Sequence, residues 1–150
     1  MKEFSSLLYL TTSYVSEKHA NGIQIMEMSQ AFSEYLGVDF KLICFGSKNS
    51  ELNFDSKFYD LNSPKFIRTI FLWIITIFTV DKKSTHIYTR DIVFSFLLLL
   101  SGFHVCFECH ALPLTKIVRL LYGLTIKFKH FKTVCISESL YKRISKTFIF

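Results

Sequence analysis

Apolar residues follow two alternating patterns along the chain. Short apolar runs without a helical period, such as LLYLTT at positions 7–12, are typical of strands buried in a parallel sheet. Segment 23–36 instead carries apolar residues at helical spacing, and they share one helical face: Ile25, Met28, Phe32 and Leu36. The polar segment 13–22 is predicted to be the loop between them, and the next strand is predicted at 38–46.

The same alternation continues to the end of the chain. Further strands are predicted at 57–61, 86–91, 104–110 and 133–137, and further helices at 65–80, 92–101 and 114–128, with a basic helix closing the chain. Strands that alternate with helices in this way favour an α/β fold. A chain of 150 residues has room for one ordinary domain with a core. We therefore predict one Rossmann-like domain over residues 1–150, with a parallel sheet and helices on both faces.

Residues at the predicted helix ends support these bounds. Asn21 is placed to cap the first helix, and Gly37 follows it where a left-handed residue is favoured. Pro64 and Pro113 precede two of the later helices, and Ser137 is placed to cap the last one.

Two apolar segments, 66–80 and 92–107, raise the question of a membrane-spanning helix. The first is 15 residues long and contains Arg68, and the second is interrupted by Ser101, Gly102 and His104. A span needs about 20 apolar residues, so we expect buried or membrane-surface helices instead. The first ten residues also lack the apolar core of a secretory signal, so we expect a cytoplasmic protein.

Positive charge is concentrated in the last quarter of the chain. Residues 116–150 contain eight basic residues and one acidic residue, Glu138, whereas residues 1–115 have a net charge of −1. Such a region favours an anionic partner. No nucleic-acid-binding signature accompanies it, so nucleic acid is not the expected partner. An anionic membrane surface suits the apolar helices better and would make the protein peripheral on the cytoplasmic face, while a solvated basic face stays an alternative.

The segment VCFECHALP, at 105–113, contains Cys-x-x-Cys-His. In a strand, Cys106 and Cys109 point to opposite faces, so one haem or zinc ion cannot bridge them. Cys44 and Cys135 supply no second pair at zinc spacing. We expect the cysteines to be small core residues, with no metal site and no cofactor.

The same alternation places Glu108 and His110 on one face at the carboxyl end of their strand. Open α/β sheets bind ligands beyond these ends, where Arg90 and Asp91, the loop 13–22, and the pair Ser137 and Glu138 are also predicted. Simpler roles stay open for several of these residues. His110 can cap the next helix, Glu108 can anchor a loop, Arg90 can pair with Asp91 or Glu108, and Gly22 can serve a helix-entry turn.

Four segments in order along the chain carry a family resemblance. They are SEKHANGIQIMEMSQAFSE (16–34), YTRD (88–91), FECHALP (107–113) and VCIS (134–137). Together they resemble the amino-terminal domain of family 4 glycosyltransferases, which are retaining enzymes of the two-domain GT-B architecture. The resemblance implies transfer of a sugar from a nucleotide-sugar donor to a glycan or lipid-linked acceptor, as in the synthesis of surface polysaccharide.

The resemblance also implies roles for individual residues. Asn21 and Gly22 would lie at the loop that approaches the donor diphosphate, and Arg90 and Asp91 would bind the acceptor. His110 would touch the transferred sugar near its reacting carbon, oriented by Glu108, which makes these two the candidate catalytic residues. Ser137 and Glu138 would stand at the rim of the cleft.

The chain also departs from the family pattern. Complete members carry a second domain with a Glu-x7-Glu motif. In the first loop of the amino-terminal domain they usually have two glycines, where this chain has Asn21 and Gly22. We therefore expect a domain that is incomplete at its carboxyl end, lacks most of the donor site, and is inactive without a separate carboxy-terminal half. The alternative function is a non-catalytic Rossmann-like module that docks on a membrane or a partner subunit.

Overall fold

The described residues form six strands and five helices, which alternate except that the third strand follows the second directly. The computed structural model describes residues 5–16, 18–36, 38–47, 52–112 and 115–148. Its strands are β1 (Ser6–Val15), β2 (Asp39–Gly46), β3 (Asp55–Tyr59), β4 (Thr85–Thr89), β5 (His104–Cys109) and β6 (Phe131–Cys135). Its helices are α1 (Ala20–Tyr35), α2 (Lys65–Thr79), α3 (Ile92–Leu100), α4 (Lys116–Thr125) and α5 (Glu138–Thr147).

All strand pairs are parallel, and the strand order is β3-β2-β1-β4-β5-β6. Successive side chains of β1 enter different core clusters, since Tyr9 packs with α1 while Leu8 and Leu10 pack with α2 and α3. Helices α4 and α5 cover the same face as α2 and α3, through Tyr122 and Ile144. The predicted fold class is therefore confirmed: the sheet is parallel and has helices on both faces.

Edge-to-face aromatic contacts fix α1 against the sheet. The rings of Tyr9 and Tyr88 lie 5.1 Å apart between centroids, and Phe32 of α1 lies 5.0 Å from Tyr88. Each such pair contributes about 0.5–1.5 kcal/mol beyond the area that it buries. Ile25 is fully buried beside them, and Met28 packs on the same cluster, so this predicted helix face is confirmed except at Leu36, which is exposed.

The largest difference from the predicted bounds lies between β1 and α1. The strand extends to Val15 because the buried hydroxyl residues Thr11 and Thr12 continue it, and α1 begins three residues earlier than predicted. His19 occupies the N-cap position and makes no side-chain cap hydrogen bond, so the prediction that Asn21 caps α1 is wrong. Gly37 and Pro113 lie outside the described residues.

The later elements shift by only a few residues from their predicted bounds. β3 and β6 each begin two residues earlier than predicted, and α4 begins after its N-cap Thr115, whose hydroxyl accepts a hydrogen bond from Val118 N. Ser137 does cap α5, as predicted, by accepting from Leu140 N. Within the described ranges, no helix combines the length and the apolar character that crossing a bilayer requires.

Candidate functional site

Arg90 and Glu108 form a buried ion pair at the carboxyl edge of the sheet. They meet because each stands at the end of one of two neighbouring parallel strands, β4 and β5. Arg90 donates from Nε to Glu108 Oε2 at 2.6 Å and from Nη2 to Oε1 at 3.2 Å. Their side chains are only 11% and 4% exposed. A two-point pair of this kind holds both planes in one orientation.

His110 follows β5 and shares the same carboxylate. Its Nε2 lies 2.8 Å from Glu108 Oε1, although the two atoms are not aligned as a hydrogen bond. The imidazole is 32% exposed, so it is the member of this trio that solvent or a ligand reaches most easily. Glu108 therefore connects a buried guanidinium to an accessible imidazole.

The first turns of α1 also reach this cluster through Arg90. Its Nη1 donates to Asn21 Oδ1 at 3.4 Å and to Gln24 Oε1 at 3.2 Å, and its Nη2 lies 2.9 Å from Met28 Sδ. Asn21, predicted from the family resemblance to lie near a donor diphosphate, is thus brought to within contact of Arg90.

Gly22 is required by close packing of the chain on itself. A Cβ atom at this position would lie 2.1 Å from the backbone oxygen of Ser16, which no rearrangement of a side chain could relieve. The loop after β1 therefore folds directly over the first turn of α1. This supports the simpler role, a helix-entry turn, while contact with a diphosphate stays a prediction.

Asp91 is the N-cap of α3 and has partners at both carboxylate oxygens. Oδ1 accepts hydrogen bonds from Val93 N and Phe94 N, at 3.0 and 3.2 Å. Oδ2 accepts from Thr12 Oγ1 at 2.9 Å and lies 2.7 Å from Lys65 Nζ. Burial alone would raise the pKa of Asp91, but Lys65 and these hydrogen bonds together hold it below the usual value. The carboxylate thus ties β1, α2 and α3 together, and an acceptor would have to compete with Lys65 for it.

A cavity of about 370 Å³ lies beside these residues, between the carboxyl ends of β4 and β5 and the first turns of α3 and α4. Its polar lining includes four of the predicted site residues and two others: Arg90, Asp91, Glu108, His110, Lys65 and Thr115. Apolar side chains such as Val93, Leu112 and Tyr122 complete the wall. Cationic groups, two carboxylates and an apolar wall in one cavity suit a ligand with both hydroxyl and hydrophobic parts.

Ser137 and Glu138, predicted at the cleft rim, do not line this cavity. Ser137 caps α5, and Glu138 makes an exposed ion pair with Lys142 at 2.6 Å, one turn along the same helix. Helix α5 covers the edge strand β6, one strand beyond the cluster.

Two tyrosines beneath the cluster were missed by the sequence analysis. Tyr88 precedes Arg90 on the same face of β4, and Tyr9 is its neighbour on β1. Burial raises the pKa of both phenols, and the Glu108 charge raises that of Tyr88 further, whereas Arg90 opposes the rise at Tyr9. Both hydroxyls therefore stay protonated and can act only as neutral groups. The alternation of side chains could have identified Tyr88, because it lies two residues before Arg90 and so shares its face.

The cysteines of the Cys-x-x-Cys-His segment lie on opposite faces of the sheet, as predicted. Cys106 packs with the α1 cluster and Cys109 with the α4 and α5 cluster. Burial raises the pKa of each thiol to about 11, so both are protonated at neutral pH. Cys109 lies opposite Cys135 of β6 in the sheet register and not beside Cys106, and the sequence spacing did not predict this. In the described part of the chain, no group of three or more His, Cys, Asp or Glu side chains is arranged to hold a metal ion.

Chemically, the cluster offers a fixed carboxylate, a fixed guanidinium and an accessible imidazole at the mouth of one cavity. Such a set can hydrogen-bond several hydroxyls and can stabilise charge that develops on a bound ligand. Comparison with protein-family models and with curated proteins gives no match.

Proposed function

We propose that this chain is the acceptor-side half of a retaining glycosyltransferase, which transfers a sugar from a nucleotide-sugar donor to a glycan or lipid-linked acceptor of surface polysaccharide. The supporting observation is the buried Glu108 carboxylate, which joins Arg90 and His110 at the edge of a cavity. This is the edge at which open α/β sheets bind ligands. The family resemblance of the surrounding segments supplies the reaction class.

In this proposal His110 acts on the sugar, and Glu108 acts through His110. The imidazole is the exposed member of the cluster and donates a hydrogen bond that strengthens as charge develops on the transferred sugar. Glu108 is buried, held at two points by Arg90 and close to His110, so in this proposal its role is to orient the ring. Arg90 is a positioning residue for both.

Binding of simple sugars to the full chain tests this proposal directly. Alkyl glycosides, which combine hydroxyls with an apolar tail, are titrated while the NMR signals of the cavity residues are followed. We expect shifts at His110 and Thr115, and a loss of affinity of about tenfold in His110→Ala, as removal of one good hydrogen bond predicts. His19→Ala, which removes an exposed imidazole elsewhere, is the matched control. Unchanged affinity in His110→Ala would overturn the assigned role.

Sugar transfer itself requires the donor-binding half that we propose as the partner. The DNA following the coding sequence is the place to look for an open frame with a Glu-x7-Glu motif. Mixed with that half, the wild-type chain is expected to transfer sugar. In the cell, the reaction would take place on the cytoplasmic side of the membrane. His110→Ala should then lower kcat far more than it weakens donor binding, and equal turnover would reject the role.

The second candidate function is a non-catalytic module that docks on a membrane or a partner subunit. The observation that favours it is the number of large apolar side chains exposed on α2 and α4, among them Phe66, Phe78 and Ile117. The glycoside titration separates the two candidates, because a module that only docks has no reason to bind a sugar at His110.

A further inference from the structure

Helices α2, α3 and α4 form a continuous layer on one face of the sheet. α3 lies in the middle and packs against both neighbours. Trp73 of α2 donates from Nε1 to Leu97 O and to Ser101 Oγ at the end of α3, at 3.2 and 2.9 Å. Phe96 of α3 contacts Phe128, just after α4, with ring centroids 6.2 Å apart. The outer surfaces of the three helices therefore face solvent on the same side of the molecule.

Large apolar side chains cover the outer surface of this layer. On α2, Phe66 is 72% exposed and Phe78 is 83% exposed, and on α4, Ile117 and Leu120 are 72% and 65% exposed. Further exposed apolar residues lie between and beside them: Ile67, Ile74, Val93, Leu100 and Leu124. Apolar residues exposed on three adjacent helices form a larger apolar area than the single exposed apolar residues found on an ordinary protein surface.

Charge on the same layer has a single sign. The three helices contain four basic residues, Lys65, Arg68, Lys116 and Arg119, and none of their residues is acidic. Lys65 pairs with Asp91, and Arg68 packs over the Phe45 ring, but Lys116 is exposed on α4 and Lys127 and Lys129 are exposed just after it. Helix α1, on the opposite face, contains two acidic residues and no basic one. The helices on the two faces of the sheet thus differ in electrostatic sign.

We propose that the outer surface of α2, α3 and α4 binds the surface of an anionic phospholipid bilayer. Exposed apolar side chains flanked by lysines are the composition of helices that lie in the membrane interface. The apolar groups enter the boundary of the acyl chains while the lysines meet anionic headgroups. A second copy of this chain fits less well, because a symmetric contact through the same surface would bring basic helices together, and these helices contain no acidic residue to pair with the charge.

Docking in this orientation places the cavity beside the lipid headgroups. All three helices begin at the cavity, which is lined by Lys65 at the start of α2, Val93 at the start of α3 and Val118 at the start of α4. The inference does not depend on sugar transfer, since it rests on the helix surfaces alone. If an amphiphilic acceptor is used, its polar group can enter the cavity while its tail stays in the bilayer.

Sedimentation of the full chain with vesicles tests the proposal. We expect binding to vesicles of phosphatidylcholine that contain phosphatidylglycerol, little binding to phosphatidylcholine alone, and release by high salt, because exposed charges are screened. Phe78→Ser combined with Ile117→Ser should reduce the bound fraction at least about tenfold, since two large apolar groups lose their burial. Both positions are exposed, so the fold is retained, and circular dichroism with a thermal melt verifies it.

Matched substitutions on the opposite side complete the design. Tyr35→Ser removes an aromatic side chain that is 82% exposed at the end of α1, and it should leave vesicle binding unchanged. Lys116→Glu with Lys127→Glu should weaken binding to anionic vesicles, whereas Lys18→Glu, near the start of α1, should not. Equal binding to both vesicle types, or an equal effect of Tyr35→Ser, would overturn the proposal. Absence of binding to anionic vesicles would overturn it as well, and a dimer that Phe78→Ser dissociates would then identify a second copy as the occupant.

Discussion

At the scale of single residues, the Arg90–Glu108 pair contains charges whose removal should lower the free energy of unfolding. Arg90 and Glu108 are buried and neutralise one another, so loss of either partner leaves an uncompensated charge in the interior. Lys41 and Asp55 form a pair of nearly the same length on the exposed edge of the sheet. The two pairs have the same N–O distance of 2.6 Å but differ in burial, and Arg90 also binds its carboxylate at two points where Lys41 binds at one.

Arg90→Ala should therefore lower the free energy of unfolding by about 3–5 kcal/mol, the range for breaking a buried pair from one side. Lys41→Ala should lower it by less than about 1 kcal/mol, because water already screens that pair. Chemical denaturation of both variants provides the comparison. Similar losses would mean that the Arg90 pair is not buried as described.

Gly22 gives a second prediction at this scale. Gly22→Ala should destabilise the chain by more than about 2 kcal/mol, because the new methyl group meets backbone and something must move. Gly123 in α4 is the control, since a Cβ there meets only the Phe148 ring, at 3.9 Å. Gly123→Ala should be neutral or stabilise by up to about 1 kcal/mol through helix propensity. Thermal melts of the two variants should differ in the direction of the shift in Tm.

At the scale of elements, one carboxylate connects three segments of the fold. Asp91 caps α3, receives a hydrogen bond from β1 and pairs with the first residue of α2. Its pKa in the folded chain lies below the ordinary value of 3.8, so the unfolded chain binds more protons in the acid range. The stabilisation is complete above the ordinary value and is lost as pH falls through the folded one.

Asp91→Ala should thus lower the unfolding free energy by about 1–3 kcal/mol at neutral pH, through loss of the cap and its ion pair. It should also make Tm less sensitive to acid below about pH 4, where the wild-type carboxylate becomes protonated. Asp91→Asn keeps a capping oxygen and should lose less at neutral pH. Thermal melts over a pH series distinguish the three chains, and parallel pH curves for wild type and Asp91→Ala would contradict the assignment.

A row of histidines at the amino ends of β4, β5 and β6 gives an acid sensitivity of the same direction at a higher pH. The rings of His86 and His104 stack at 5.0 Å, and those of His104 and His130 lie 4.1 Å apart. Burial, followed by the neighbouring imidazoles and Lys132, lowers the pKa of His86 and His104 below 6.5. The folded chain therefore resists protonation, and the stability that is present above about pH 6.5 is lost as pH falls through the lower folded pKa values.

His104→Gln should reduce the fall in Tm between about pH 7.5 and pH 5.5, because it removes the central member of the row. His19→Gln, at an exposed position, should leave that fall unchanged. If His104→Gln has the same pH dependence as wild type, the row does not govern acid sensitivity.

At the scale of the whole molecule, alternation of apolar patterns was enough to predict the parallel sheet and the helices on both faces. The same parity predicted that Cys106 and Cys109 diverge and that Glu108 and His110 come together, since these relations need only one strand. The partner of Arg90 stayed open among alternatives, because choosing Glu108 requires the order of two strands. Two other relations depend on the position of β6 and α5 at the edge of the sheet. They are the pairing of Cys135 with Cys109 in the sheet and the position of Glu138 outside the cavity lining. Patterns within one segment do not contain that information.

The attachment of Asp91 to three segments has a mechanical consequence for the cavity. A ligand that displaces Lys65 from this carboxylate also removes the ion pair that joins the first residue of α2 to the start of α3. Conversely, a force that draws α2 away from the sheet acts on Oδ2 of Asp91, and Oδ1 of the same carboxylate holds the start of α3. Ligand binding in the cavity and the packing of α2 are thereby coupled through Asp91.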